Sequence, residues 1–326
     1  MLLSLSHTDL DGIGSQIVLR ELLGISTKMN TSYGKIDEYL DNVNDYCYHN
    51  NPKYVFITDL SFNDKLFDKL KNIADNFLHI TFVFIDHHPF GDTTKWKSNN
   101  LKIIITSKAS ATKLVFKYLM ANKKEYNINN LDYTRINEME DFVEMVNAYD
   151  IWLEKENPTL FKKGFFLNEL FWEYGINHFY SRFSSDFKIR NNDKETYKDI
   201  VSKKNKQFKK IEESGKLLKI GDEDLLMIFT DSYHAFVTID FPGYKIYVIL
   251  TSNGRVSVRL KDFKNAELVS KNLQERVREL ESVSECGGHE KAFGISLINN
   301  EPKVLLNFAK EFMFIVGNEI KENVRG

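Results

Sequence analysis

The sequence predicts an α/β protein: an N-terminal parallel sheet with helices on both faces, followed by a smaller α/β domain across a cleft. Three observations lead there. Between residues 2 and 119, short runs rich in Val, Ile and Phe alternate with segments of helical apolar spacing, the pattern of βαβ units. Residues 191–214 are dominated by Lys, Asn, Asp and Glu with sparse apolar positions, and read as a solvated connecting helix. Beyond Gly215 the texture changes to short alternating strands, with Asn253-Gly254 as a hairpin turn signal. The expected spans are 1–190 for the first domain, 191–215 for the linker helix and 216–326 for the second domain.

The 326 residues suffice for two domains, each with its own core, and 42% hydrophobic against 28% charged residues is a globular composition. Neither a bilayer-spanning apolar run nor a cleavable leader is read, so a cytoplasmic protein without membrane attachment is expected. Two cysteines, Cys47 and Cys286, suit a reducing compartment and make no disulfide framework or zinc knuckle. The 44 basic residues nearly balance 46 acidic ones. Tracking along long nucleic acid calls for a basic stripe, so a phosphate-bearing ligand here is expected to be short and held by a few groups.

Leu2–Ser6 reads as the first strand, running into His7-Thr8-Asp9-Leu10-Asp11-Gly12; a helix over residues 14–23 is closed by Gly24. In extended chain alternate side chains share a face, so His7, Asp9 and Asp11 are expected to converge. A lone acid there would simply cap the helix, whereas an imidazole and two carboxylates together suit Mn²⁺ or Mg²⁺. Ile36–Tyr46 is helical. Tyr54–Thr58 is an apolar strand with Asp59 at its tip, and Ser61 is expected to cap the helix that follows to about Ala74. Thr81–Ile85 is a buried strand that runs into Asp86, His87 and His88 before Pro89 stops it. Lys102–Thr106 is a further strand, and Ser110 opens a helix through about Leu119.

In a parallel sheet all strand C-termini lie on one edge, where ligands bind. That edge gathers His7, Asp9, Asp11, Asp59, Asp86, His87 and His88. Arg135–Trp152 is helical and ends in Asn147-Ala148-Tyr149-Asp150-Ile151-Trp152, where Asp150 alone would be a helix-end acid. Phe161–Phe187 is aromatic and helical with no readable chemistry, and His49, His79 and His178 are structural or exposed. Lys203, Lys204 and Lys206, with Lys209 and Lys210, make a solvated face.

In the second domain strands are expected at Leu225–Phe229, Ala235–Ile239, Lys245–Leu250 and Arg255–Leu260, then a helix over Ala266–Leu280 and a last helix from Lys303 to Ile320. Between those helices, Cys286 to Gly294 reads as a loop. Gly287 and Gly288 there let backbone N–H groups approach an anion, with His289 beside them, although the pair alone would be an ordinary turn. Arg255 and Arg259 are spaced for extended structure, and Arg259 is the preferred phosphate clamp.

Taken in order, these motifs resemble the DHH phosphoesterases with their DHH-associated C-terminal domain. The resemblance rests on His7-Thr8-Asp9-Leu10-Asp11-Gly12, Asp59, Asp86-His87-His88, Asp150, Arg255-Val256-Ser257-Val258-Arg259 and Gly287-Gly288-His289 to Gly294. It implies a phosphoesterase using two divalent cations, Mn²⁺ first, with Mg²⁺ or Co²⁺ as alternatives. It places one cation on His7, Asp9 and Asp59 and the other on Asp11, Asp59, His87 and Asp150. His88 would face the phosphate and Asp86 would orient the neighbouring imidazoles. In many members the first histidine precedes the first acid by four residues; here His7 precedes Asp9 by two, a compact form similar to the nano-RNase branch. The resemblance implies an exoribonuclease releasing 5′-mononucleotides from short RNA, acting as monomer or homodimer. The alternative it leaves is a phosphodiesterase for linear or cyclic dinucleotides, or a 3′-phosphoadenosine phosphate phosphatase. A nucleotide-binding protein without turnover would lack ligands, and none is missing.

Overall fold

The computed structural model describes residues 1–24, 27–88, 90–128, 132–214, 217–219, 225–230, 246–260, 265–289 and 292–323. The chain divides into two units, Met1–Lys198 and Asp199–Gly326.

The first unit is built on β1 (Leu2–His7), α1 (Leu10–Leu23), β2 (Thr27–Thr31), α2 (Ile36–Asn50), β3 (Tyr54–Thr58), α3 (Asp64–Asn76), β4 (Thr81–Asp86), β5 (Leu101–Ile105) and α4 (Ala111–Ala121). The strands pair in the order β2-β1-β3-β4-β5, every pairing parallel. The apolar runs of β1, β3 and β4 are buried because both faces of the sheet are covered. On one face Leu3, Leu5, Val55, Ile57, Phe82 and Phe84 pack with Leu40 and Val43 of α2 and Phe67 and Leu70 of α3. α1 and α4 pack against each other, joined by the buried hydrogen bond from Thr112 Oγ1 to the Asp11 carbonyl, 2.7 Å. This order reverses direction at β1, which sets the ligand crevice of an open parallel sheet beyond the ends of β1 and β3.

Local signals explain most boundaries. α1 is capped by Asp9, whose Oδ1 accepts from the Gly12 N–H at 2.9 Å, and it ends on Gly24 at φ 67°. The helix therefore begins at Leu10, earlier than the sequence indicates, and Asp11 sits in its first turn. The expected alternation of His7, Asp9 and Asp11 along an extended segment fails for that reason. α3 is capped by Asn63, which accepts from the Leu66 N–H at 3.0 Å, and not by Ser61.

α5 (Tyr133–Asp150) and α6 (Pro158–Ser185) complete the unit, α6 being kinked at Gly175. α7 (Asn191–Ser214) follows. Its first turn is less solvated than expected: Asp193 is buried, accepting from Arg182 Nη2 at 2.5 Å and the Tyr174 hydroxyl at 2.9 Å.

Among its described residues, the second unit holds a sheet in the order β10-β11-β9-β8-β7-β6. These are β6 (Leu217–Lys219), β7 (Leu225–Thr230), β8 (Ile246–Thr251), β9 (Arg255–Leu260), β10 (Val283–His289) and β11 (Ala292–Leu297). The sheet is mixed, with β7 and β8 parallel and the other pairs antiparallel. The strand expected at Ala235–Ile239 lies outside the described residues. α8 (Ala266–Arg278) and α9 (Pro302–Asn323) cover one face. Val269, Leu273, Phe308 and Phe312 pack there against Val256, Val258, Phe293 and Ile295.

The segment read as a loop from Cys286 to Gly294 is instead a hairpin of β10 and β11. Gly288 makes it possible: its φ is 149°, and a Cβ there would lie 2.6 Å from both the Ala292 carbonyl oxygen and the Phe293 Cα. Gly287 has nothing within 4 Å of that position. Gly288→Ala is therefore expected to cost about 1–3 kcal/mol of stability, and Gly287→Ala much less, by denaturant melts of the two variants.

Candidate active site

The residues that close β1, β3 and β4 meet at the sheet edge. Beyond β1, His7 Nδ1 lies 2.7 Å from Asp9 Oδ2, while the other Asp9 oxygen caps α1. One short segment thus fixes both an imidazole and a carboxylate. Asp11 is 1% exposed, and its two oxygens accept from the N–H groups of Ala111, 2.6 Å, and Thr112, 2.9 Å, at the start of α4. The partial positive charge of that helix N-terminus favours its carboxylate.

Asp59 follows β3 in the left-handed region, φ 57°, with its N–H bonded to the Ile85 carbonyl at 3.0 Å. Aspartate tolerates that conformation better than most side chains. It is 1% exposed, and its Oδ2 has no hydrogen-bond donor among the described residues. At the end of β4, Asp86 Oδ1 accepts from the His87 N–H, 2.8 Å, and from His88 Nδ1, 2.9 Å. Asp86 therefore orients the ring of His88, but of His87 it holds only the backbone. The His87 ring turns to the other carboxylates: its Nε2 is 3.4 Å from Asp59 Oδ1, 3.4 Å from Asp150 Oδ2 and 3.9 Å from Asp11 Oδ2. Asp150 arrives from the last turn of α5, and its Oδ2 is likewise buried without a hydrogen bond.

Three overlapping sets have ligand atoms within 4.8 Å of one another: His7, Asp9 and Asp59; Asp11, His87 and Asp150; and Asp59, Asp86, His87 and His88. Mixed carboxylate and imidazole donors fit Mn²⁺ or a similar hard divalent ion. The two orphaned carboxylate oxygens are the physical sign of such a fit, because a buried acceptor without a donor is costly.

Tyr33 belongs to this site and escaped the sequence analysis. It opens a 3-10 turn (Tyr33–Lys35) just after β2. Its hydroxyl is 3.2 Å from His88 Nε2, and its ring lies 4.4 Å from the His7 ring. His88 is thereby held at both nitrogens, by Asp86 and by Tyr33. The missing signal was β2 itself: had Thr27–Thr31 read as a strand, Tyr33 would have stood at a strand C-terminus like the other residues.

The remaining sequence candidates lie in the second unit. Arg255, Ser257 and Arg259 alternate with Val256 and Val258, which point into the helix-covered core. Arg259 pairs with Ala292, and Ala292 pairs with His289, so Arg259 and His289 share one cross-strand row. The Arg259 guanidinium donates to the Val258 carbonyl at 3.0 Å. Gly287 and Gly288 lie on the same hairpin; the side chain of His289 lies outside the described residues.

Crowding of acids dominates the electrostatics. Burial, and then the charges of neighbouring carboxylates including Asp9 and Asp11, raise the pKa of Asp59 and Asp150 well above the ordinary carboxylate range. For Asp9 burial acts in the same direction, but the His7 imidazolium outweighs it and lowers the pKa. Burial also opposes charge on His88, and the Asp86 carboxylate overcomes it and raises that pKa. A raised carboxylate pKa in the fold means a contribution that is full below the unfolded value, about 4, and lost as pH rises through the folded value.

Cation-free protein is therefore expected to lose stability as pH rises above that range through the titration of Asp59 and Asp150, and added Mn²⁺ should restore it. Asp59→Asn should raise the melting temperature of chelator-treated protein at neutral pH, by roughly 2–4 °C for each kcal/mol relieved, and shrink the rise on adding Mn²⁺. Thermal melts of both proteins with and without chelator check this.

Residues 3–141 match the model of the DHH family, N-terminal domain, a span that includes every site residue of the first unit except Asp150. No curated protein matches the chain. Among solved structures, the pGpG-specific phosphodiesterase PggH from Vibrio cholerae aligns over 98% of this chain and 100% of its own, at 13% identity and TM-score 0.55, a likeness of fold alone. An uncharacterized protein from Helicobacter pylori G27 aligns over 98% and 99% at 19% identity, TM-score 0.44. CDC45 from Entamoeba histolytica aligns over 97% and 95% at 7% identity, TM-score 0.46. The parallel sheet of this chain, with its strand-tip Asp86-His87-His88, lies within the span that is similar to the DHH family's N-terminal domain.

Proposed function

We propose that the protein is a phosphodiesterase that uses two divalent cations, Mn²⁺ first, to hydrolyse short oligoribonucleotides to 5′-mononucleotides. The observation that carries this reading is the pair of buried, donorless oxygens on Asp59 and Asp150, set among Asp9, Asp11 and His87. Five acids at one edge are poor packing residues and good cation ligands. One ion is assigned to His7, Asp9 and Asp59, the other to Asp11, Asp59, His87 and Asp150. Held there, the cations would supply Lewis-acid stabilisation of phosphoryl charge and lower the pKa of an attacking water.

The chain's own groups do the rest. Asp86 accepts from His88 Nδ1 and favours the imidazolium, whose Nε2–H is directed to Tyr33 and, by this reading, donates to a phosphoryl oxygen. The His7–Asp9 contact holds the first imidazole against the sheet edge, and the N–H groups at the α4 N-terminus hold both oxygens of Asp11. No side-chain nucleophile is needed. Arg259, Arg255, Gly287, Gly288 and His289 of the second unit, read as a DHH-associated domain, are assigned phosphate contacts, supported by the row that aligns Arg259 with His289.

The near-neutral net charge supports short substrates. A second reading, a phosphodiesterase for dinucleotides, is favoured by the named substrate of PggH, a linear dinucleotide. Hydrolysis with Mn²⁺, against a chelator control, of two- to five-nucleotide RNAs, cyclic dinucleotides, 3′-phosphoadenosine phosphate and long single-stranded DNA decides between them. The expected result is preference for the short RNAs with mononucleotide products. Preference for the two-nucleotide RNA alone or for cyclic dinucleotides would move the substrate to the second reading, and no turnover on any would contradict the enzyme. Asp59→Ala is expected to reduce turnover to background with the fold retained by circular dichroism. Arg259→Ala should raise KM about tenfold with a smaller effect on kcat.

A further inference from the structure

α5 ends in an unusual way. The Trp152 N–H bonds to the Tyr149 carbonyl, 3.2 Å, and the Leu153 N–H to the Ala148 carbonyl, 2.8 Å. This is the paired closure of a helix that turns through one left-handed residue, a position that glycine ordinarily fills. Here tryptophan fills it, at φ 58°. For a bulky side chain that backbone is strained. Nor does burial repay the strain, since Trp152 remains 45% exposed. Its ring is nonetheless held, in a T-shaped contact with Phe161 at 4.9 Å and beside Tyr149 at 6.1 Å. A glycine would serve the helix better and leave the surface less apolar.

The place of this residue gives the strain a use. Asp150, two residues earlier, reaches to 3.4 Å from His87 Nε2 in the acidic cluster. Two residues of chain span at most about 7 Å. Trp152 thus stands within one nucleotide's reach of Asp150, a residue assigned to a cation that would hold the phosphate.

We propose that Trp152 is the platform on which a base of the substrate stacks, and so a residue that separates base-bearing from base-free phosphodiesters. The proposal deepens the phosphodiesterase reading and rests on it for the identity of the ligand. Base-on-aromatic stacking tolerates sequence variation because every base has a π face, and the larger purine face gains most. The contacts with Phe161 and Tyr149 hold the ring, and the cations assigned to the acidic cluster would fix where the phosphate, and with it the base, must lie.

Binding tests this apart from turnover. The probe is a phosphorothioate-linked, 5′-phosphorylated diadenylate, titrated with Mn²⁺ present, beside an analogue with abasic sugars. Wild type is expected to prefer the base-bearing probe and to show tryptophan quenching on binding it. Trp152→Gly should lower that preference at least about tenfold while its melting temperature stays at or above that of wild type. Trp152→Phe should recover most of the preference yet lose the quenching, although Trp96 and Trp172 remain. Equal preference in wild type and Trp152→Gly, or no binding of the diadenylate by wild type, overturns the platform. Binding with these signatures but no hydrolysis of the normal diester overturns the hydrolase and leaves the platform standing.

Discussion

Like charge forced together at a dry sheet edge is the constraint on which the first unit depends. Asp9, Asp11, Asp59, Asp86 and Asp150 converge with His7, His87 and His88, and Asp59 and Asp150 each keep a buried oxygen with no donor among the described residues. Burial and mutual repulsion push protons onto Asp59 and Asp150. Nothing in the apolar core requires such a cluster, since Leu3, Val55 and Phe82 pack on the helices without it. The fold carries an electrostatic cost that divalent cations would remove, so stability and activity are expected to share one dependence on the metal.

Topology turns that cost into a site. Parallel strands deliver His7, Asp59 and Asp86 to one edge, and the reversal of strand order at β1 opens space beside β3. Two helices supply what the strands cannot. α4 presents its N-terminal N–H groups to both oxygens of Asp11, and α5 carries Asp150 in its last turn. The partners of Asp11 come from residues a hundred positions away, so folding of α4 onto α1 and formation of the site are one event.

Much of this was legible in the sequence because the strands β1, β3, β4 and β5 are largely apolar and the ends of β1, β3 and β4 carry the acids and histidines. Element types for α2, α8 and α9 followed from their sequence pattern, and α7 from its charged, apolar-poor composition. What escaped was whatever lacked a periodic signal. β2 is Thr-Lys-Met-Asn-Thr, an edge strand paired on one side only and mostly half-buried, so it needs no apolar run. With it went Tyr33. The Gly287-Gly288 pair suggested a loop, yet glycine's freedom lets Gly288 sit in a strand that a side chain would not fit. The left-handed turn at Trp152 was hidden because the residue contradicts the rule that would have located it. A local rule fails at Trp152, two residues beyond Asp150, and function is where local preference is expected to be overridden.

The central claim is that these side chains together hold two cations with Asp59 shared between them. An anomalous difference map from crystals grown with Mn²⁺ tests it most directly. The account predicts two peaks roughly 3.5–4 Å apart, one beside His7 and Asp9, the other beside Asp11, His87 and Asp150, with Asp59 touching both. A single peak, or peaks away from Asp59, would contradict it.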